Sequence, residues 1–316
     1  MKFSVIIPLY NKAPYVTKAI GSVLAQTFAD YELIIVDDGS KDNSVQIAEK
    51  VIEGHDNCCL IRQENAGVSV ARNNGVALSQ GEYLCFLDAD DWWAPTFLEE
   101  MSNLIAEFPE AGIYGTAYTI VNETKRKTRV SPIGVEPGFE KGYINYCQVY
   151  AKTLAMPLWT GAVCILRPVF DEMGGFPKGI KLGEDFLLWI HIALKYKVAF
   201  LNKPLAFYNQ DVEVENRARH HLHPPKNHML WHLDDLQVFE RENMDYKVLV
   251  DRLRVFSLQY YLLDKRYEKD ARAELAKVEW KQQSRSAFLL CHSPFWALKI
   301  REKIYKMLSA IKSVFT

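Results

Sequence analysis

The acidic residues of this chain of 316 amino acids gather in a few tight groups, each suited to a chemistry of its own. Asp37 and Asp38 close an apolar run and precede Gly39 and Ser40. Adjacent carboxylates repel each other when buried, so solvent or a ligand is expected to meet at least one of them. A carboxylate there can accept hydrogen bonds from a nucleoside base or ribose, with Gly39 allowing a sharp turn; a turn with a helix-capping Asp is the other reading. Asp88, Ala89, Asp90 and Asp91 follow a second apolar run and lead into Trp92 and Trp93. Asp88 and Asp90, two apart around a tight turn, can converge on one hard divalent cation that bridges to a diphosphate.

Between these groups stands Arg72, whose guanidinium can engage a ribose, a phosphate or an acidic partner such as Asp88; a structural Arg–Asp pair accounts for it equally well. Glu184 and Asp185 open an expected helix and would complement its dipole. The glycines ahead of them, Gly174 and Gly175, form an open bend that a ligand can reach. Five of the eight histidines cluster as His220, His221, His223, His228 and His232, the last two one helical turn apart. No Cys or carboxylate joins them at ligand spacing, so a polar lid or helix face is expected there rather than zinc.

The elements that must position these residues alternate regularly up to about residue 120. Strands are expected at 3–8, 33–36, 60–61 and 83–87, and helices at 14–24, 42–52 and 68–78, with Ser40 or Asp42 capping the second helix. Such alternation predicts a largely parallel sheet covered on both faces, each strand delivering its C-terminal end to one ligand-binding edge. Residues 112–130 read as a hairpin with a charged turn at 122–127. A strand at 161–166, a helix at 184–196 and strands at 198–201 and 206–208 follow. Beyond about residue 215 only helical spacing remains, at 229–239, 248–263, 271–278 and 294–314.

The segments SVIIPLYN, IIVDDGS, ENAGVSVARNNG, FLDADDWW, MGGFP and GEDFLLW, in this order and spacing, resemble the successive motifs of family 2 glycosyltransferases. The resemblance covers residues 1 to about 210. It implies an α/β fold of GT-A type: a nucleotide-sugar-binding domain over 1–215 with a mostly parallel central sheet, plus a helical appendage over 216–316. It further implies that Pro8 and Tyr10 border the base or ribose and that Asp38 accepts a hydrogen bond from the base. Arg72 and Asp88 would hold the nucleoside part, and Asp90, with Asp88, would bind Mn²⁺ or Mg²⁺. Asp185 would be the general base, with Gly174, Gly175 and Glu184 on the acceptor side. The expected reaction is inverting transfer from a nucleotide sugar, a UDP-sugar by resemblance, to a saccharide or lipid-linked acceptor in cell-surface polysaccharide assembly.

Two departures stand out. The QxxRW segment of processive relatives is absent, which implies one sugar per encounter. Where many relatives carry Tyr-Arg-x-His, this chain reads Tyr208, Asn209, Gln210, Asp211, so that a diphosphate contact falls to Asp211, Arg217, Arg219 or His220. A nucleotidyltransferase would be expected to carry a Gly-rich phosphate loop after the first strand, and residues 8–14 hold no glycine. A non-catalytic nucleotide-sugar binder would not be expected to keep Asp185 beside Asp88 and Asp90.

Composition narrows the field further. The formal net charge of −1 gives no global pull toward nucleic acid. Six cysteines without CxxC spacing read as reduced thiols of a cytoplasmic protein, and the opening apolar run is too short for a signal peptide. The C-terminal stretch is more pointed. Trp296, Ile300, Ile304, Met307, Leu308, Ile311 and Phe315 form one helical stripe flanked by Lys299, Lys303, Lys306 and Lys312. Residues 293–316 can therefore make a peripheral contact with an anionic membrane, or pack on the domain or a second subunit.

Overall fold

A computed structural model describes residues 2–122, 124–211 and 222–303. The chain divides into two compact units, Met1–His220 and His221–Thr316. The split expected at 215/216 lies outside the described residues, as do Arg217, Arg219, His220, His221 and positions 304–316.

The first unit begins as the apolar periodicity dictates. Strand β1 (Phe3–Leu9) is followed by α1 (Val16–Leu24), β2 (Tyr31–Asp37), α2 (Ser44–Ile52), β3 (Cys58–Arg62), α3 (Val68–Leu78) and β4 (Tyr83–Phe86). β1 pairs in parallel with β2 and β4, and β2 in parallel with β3. Every residue of β1 is buried except the half-buried Pro8, as a central strand covered on both faces requires. Gly75 of α3 lets that helix press on the sheet, since a Cβ there would lie 2.6 Å from Ile6.

The second half of the sheet is mixed. β9 (Val163–Leu166) runs antiparallel between β4 and β6 (Ala111–Asn122), and β10 (Lys197–Asn209) lies parallel to β6. β5 (Trp92–Trp93) and β8 (Lys141–Ile144) pair antiparallel with β10, and β7 (Lys127–Val130) closes the expected hairpin with β6. The two strands expected at 198–201 and 206–208 are one strand. Its register shifts around Pro204, which lacks the N–H that a regular ladder needs.

Three helices of this unit lie outside the sequence expectations: α4 (Phe97–Glu107), α5 (Tyr146–Thr153) and α6 (Arg167–Glu172). α7 (Glu184–Lys195) starts at the expected residue, behind Gly183 at φ 84°.

The second unit contains α8 (Gln237–Glu242), α9 (Met244–Tyr261), α10 (Glu268–Leu275) and α11 (Arg285–His292), and residues 295–303 are also helical. The single helix expected at 229–239 is instead two 3₁₀ turns, Met229–Trp231 and Asp234–Leu236, ahead of α8. His228 stands at the N-terminal edge of these turns. Its backbone is extended, its Nδ1 accepts from the Leu230 N–H, and its ring packs against Trp231 and Tyr261. His228 and His232 therefore do not share an α-helical face, and burial lowers the His228 pKa to about 4.

Candidate active site

The edge expected to bind a ligand is assembled from the loops that follow β1, β2 and β4. The loop after β1 is sewn to the loop after β2. Asn11 N–H donates to Ser40 Oγ, Lys12 N–H to Ser44 Oγ, and Ala13 N–H to Asp42. Tyr10 projects from this seam, 42% exposed, beside the half-buried Pro8. Tyr10 is thus open to a ligand at this edge.

Asp37 and Asp38 are both buried, so of the two expected partners solvent meets neither. Backbone donors resolve the repulsion. Asp37 accepts from the Ser40 N–H, while Asp38 accepts from Ala66 N–H at 2.7 Å, Gly67 N–H at 2.9 Å and Gln63 Nε2 at 2.8 Å. Asp38 thus shapes the loop that starts α3. Two carboxylate oxygens offer about four acceptor sites, so three internal donors leave room for one more from a base.

Arg72, on α3, is buried and joins two sides of the site. Its guanidinium donates to Asp88 at 2.7 Å and to Glu184 at 3.1 Å, and lies over the Phe176 ring. Burial alone would lower its pKa, but Asp88 and Glu184 outweigh that and raise it, so the cation persists. Burial raises Glu184 to about 7, helped by the charge of Asp185 and opposed by Arg72. Burial also raises Asp185, opposed by Arg72, by the Thr160 hydroxyl at 2.8 Å and by the Phe186 N–H at 2.7 Å.

Asp90 forms an ion pair with Lys12. Its pKa is raised by burial, with Lys12 opposing and Asp88 reinforcing. Asp91 is buried and accepts from the Asn209 N–H at 2.7 Å, tying the end of β10 to this loop. Asp88 and Asp90 act on each other electrostatically, with Arg72 and Lys12 as their respective cations. The donors are all carboxylate oxygens, and Asp88 and Asp90 each commit one oxygen to a cation of the chain, so the residues fit Mn²⁺ or Mg²⁺. Among the described residues no group of three or more His, Cys, Asp or Glu side chains is placed to hold a metal. A diphosphate and water would have to complete the coordination shell.

The two acceptor-side glycines differ. A side chain on Gly174 would meet open space, whereas one on Gly175 would fall 2.8 Å from Asn73 Oδ1. Gly175 therefore serves the packing of its loop on α3, where Asn73 bonds both the N–H and the carbonyl of Phe176, and it does not line an open bend. Asp211 accepts from the Thr124 N–H and pins the turn after β6. A carboxylate so engaged is a poor diphosphate contact. Lys12, Asn73 and Thr160 were not among the expected site residues; only Lys12 had a signal, a cation two residues past Tyr10.

Residues 4–174 match the family described as Glycosyl transferase family 2. This chain belongs to glycosyl transferase family 2. The matched stretch contains Pro8, Tyr10, Asp38, Arg72, Asp88, Asp90 and Gly174, and stops short of Gly175, Glu184 and Asp185. The chain is 34% identical to glycosyltransferase GlyA of Streptococcus pneumoniae over 215 residues, covering 66% of this chain and 30% of GlyA. It thus spans under a third of that relative's length. It is 33% identical to the uncharacterized glycosyltransferase alr2836 of Nostoc over 230 residues, 72% of this chain and 67% of that one. Among solved structures, TarS 1–349 of S. aureus superposes with TM-score 0.68 at 20% identity, covering 89% of this chain and 82% of that chain. The mannosyltransferase PcManGT of Pyrobaculum calidifontis, solved with GDP-Man and Mn²⁺, gives TM-score 0.50 at 17% identity, covering 89% and 86%. At such identities the likeness establishes the fold, GT-A, with a large mixed sheet and a helical C-terminal region.

Proposed function

We propose that this chain transfers a sugar from a UDP-sugar to a hydroxyl of a saccharide or lipid-linked acceptor, one sugar per encounter, with inversion at the anomeric carbon. The observation that carries the reading is Arg72, which holds Asp88 of the nucleotide edge and Glu184 of the α7 start within one buried ion cluster. The pairs support a site in which the donor edge and the start of α7 are coupled through one guanidinium. TarS has been crystallised with UDP-GlcNAc, which supports a uridine nucleotide as the donor.

In this reading Pro8, Tyr10 and Asp38 receive the nucleoside. Asp88 and Asp90 would hold Mn²⁺ or Mg²⁺, which when bound stabilises the charge growing on the leaving diphosphate. Thr160 and the Phe186 N–H aim the Asp185 carboxylate. Asp185 takes the acceptor hydroxyl proton as that oxygen bonds to the anomeric carbon and the bond to the diphosphate breaks. Attack from the face opposite the diphosphate turns an α-linked donor into a β-linked product. A role in cell-surface polysaccharide assembly at the cytoplasmic face of a membrane, with residues 293–316 as the peripheral contact, completes the proposal.

The test is a screen of nucleotide sugars with Mn²⁺, scored for released nucleotide, with wild type and Asp185→Asn side by side. Transfer should fall at least 100-fold in the variant, the usual scale for losing a general base. Proton NMR of the product should show the β configuration. A retained α linkage, or full activity in Asp185→Asn, overturns the mechanism.

A further inference from the structure

A set of aromatic side chains lies beside Asp185, and no role above uses it. Thr160, which donates to Asp185, follows Trp159 directly. The Trp159 ring lies 4.9 Å from the Tyr118 ring and 5.3 Å from the Tyr208 ring, tilted by 40° and 50°. In the β6/β10 register Tyr118 faces Ala206 and Ile120 faces Tyr208, so the two tyrosines share a sheet face as diagonal neighbours. Tyr118 is buried and backs the group, while Trp159 and Tyr208 are each partly exposed. The indole is also held in place by the chain. A Cβ at Gly161 would fall 2.6 Å from its ring, so only glycine lets the indole fold back there. The charge of Asp185 acts on Tyr118, which places the ring cluster within electrostatic reach of the carboxylate.

A partly exposed pair of rings, packed on the core near a carboxylate, has a defined ligand chemistry. The faces of the rings are apolar and carry negative charge density, and the carboxylate is a strong acceptor. A pyranose ring matches both. Its axial C–H groups form an apolar, slightly positive face, and its hydroxyls project from the edge. A lipid tail would use the rings without the carboxylate, and a bare phosphate would be repelled by it.

We propose that Trp159 and Tyr208, backed by Tyr118, form the platform on which a pyranose of the acceptor stacks, presenting a ring hydroxyl to Asp185. The inference rests on Asp185 as the base and narrows the acceptor to a saccharide whose sugar ring is itself recognised. Trp159 and Tyr208 are then specificity-determining residues that contribute nothing to donor binding.

The test separates transfer from donor chemistry. Nucleotide release by the full chain is measured with the donor from the screen, in water alone and with a panel of methyl hexopyranosides and disaccharides. In Trp159→Leu and, independently, Tyr208→Leu, saccharide-dependent release should fall roughly tenfold or more in kcat/KM, chiefly through acceptor KM. Release in water and UDP affinity should stay within about twofold of wild type, and Trp159→Phe should recover most of the loss. Equal loss of both activities in the two variants, or unchanged saccharide transfer, overturns the platform. Absence of any nucleotide release by wild type would instead overturn the transferase reading beneath it. A direct arm titrates the UDP complex with the same saccharides. Their binding should shift indole fluorescence in wild type and not in Trp159→Phe, and an identical shift in both overturns the assignment.

Discussion

Lys12 and Arg72 supply the positive charge at the two ends of the acidic site, and they differ in how firmly they are held. Arg72 is buried between two carboxylates, whereas the Lys12 side chain is 22% exposed and engages only Asp90 among the carboxylates of the site. Lys12 therefore competes with a metal ion for Asp90. Lys12→Ala should tighten Mn²⁺ binding by up to roughly fivefold, the equivalent of about 1 kcal/mol. Free Mn²⁺ measured by electron paramagnetic resonance checks this, and weaker binding would show that Lys12 supports the ion instead. Glu184 makes a pH prediction. Its folded pKa of about 7 stands above its ordinary value of 4.5, so the folded state binds more protons across that window. Its contribution is neutral below about 4.5, turns increasingly destabilising up to about 7, and is constant above. The melting temperature of the wild type should drop across this window relative to Glu184→Gln, measured by calorimetry. The gap between the two proteins should stop widening above about pH 7, and a gap that does not change with pH would refute the raised pKa. These charges were legible one at a time in the sequence. The Arg72–Asp88 pair was legible too, but the Arg72–Glu184 pair was not, since those residues are 112 positions apart and nothing local links them.

The elements divide by how local their causes are. β1 to β4 and α1 to α3 follow from apolar periodicity alone, and the structure places them within a few residues of expectation. α4 carried the same signal, with Phe97, Leu98, Met101, Leu104 and Ile105 buried at helical spacing. α5 did not. Five of its eight residues are buried, so no polar face marked it, and Asn145 alone signals its start by accepting from the Gln148 N–H. Over 229–239 tertiary context overrides helical spacing, and the buried His228 ring packs ahead of two 3₁₀ turns there. Close packing makes a prediction at this scale. Gly75→Ala would push α3 off β1 and should cost about 1–3 kcal/mol in urea unfolding. An unchanged midpoint would mean that α3 can back away freely, and that Arg72, three residues earlier on the same helix, is less firmly placed than the structure shows.

Across the whole molecule the second unit is organised by charge as much as by apolar contact. Lys247, Asp251 and Arg254 of α9 are buried with Glu240 of α8 and Glu274 of α10, so these three helices share one ion network. Removing one partner from such a network leaves an uncompensated charge, which ties the helices into a cooperative set. Its outer surface differs: Leu289, Trp296 and Ile300 are 66%, 67% and 52% exposed. No helix among the described residues is long and apolar enough to cross a membrane. Deleting residues 293–316 should release the chain from anionic vesicles in a flotation assay; equal binding of both forms would remove the membrane contact. The shared guanidinium at the other unit has a consequence for the catalytic cycle. A cation held at Asp88 would satisfy part of that carboxylate's charge and leave more of the Arg72 field to Glu184 and Asp185. In the proposed mechanism, donor loading would then favour the ionised form of Asp185, so that base and donor become ready together.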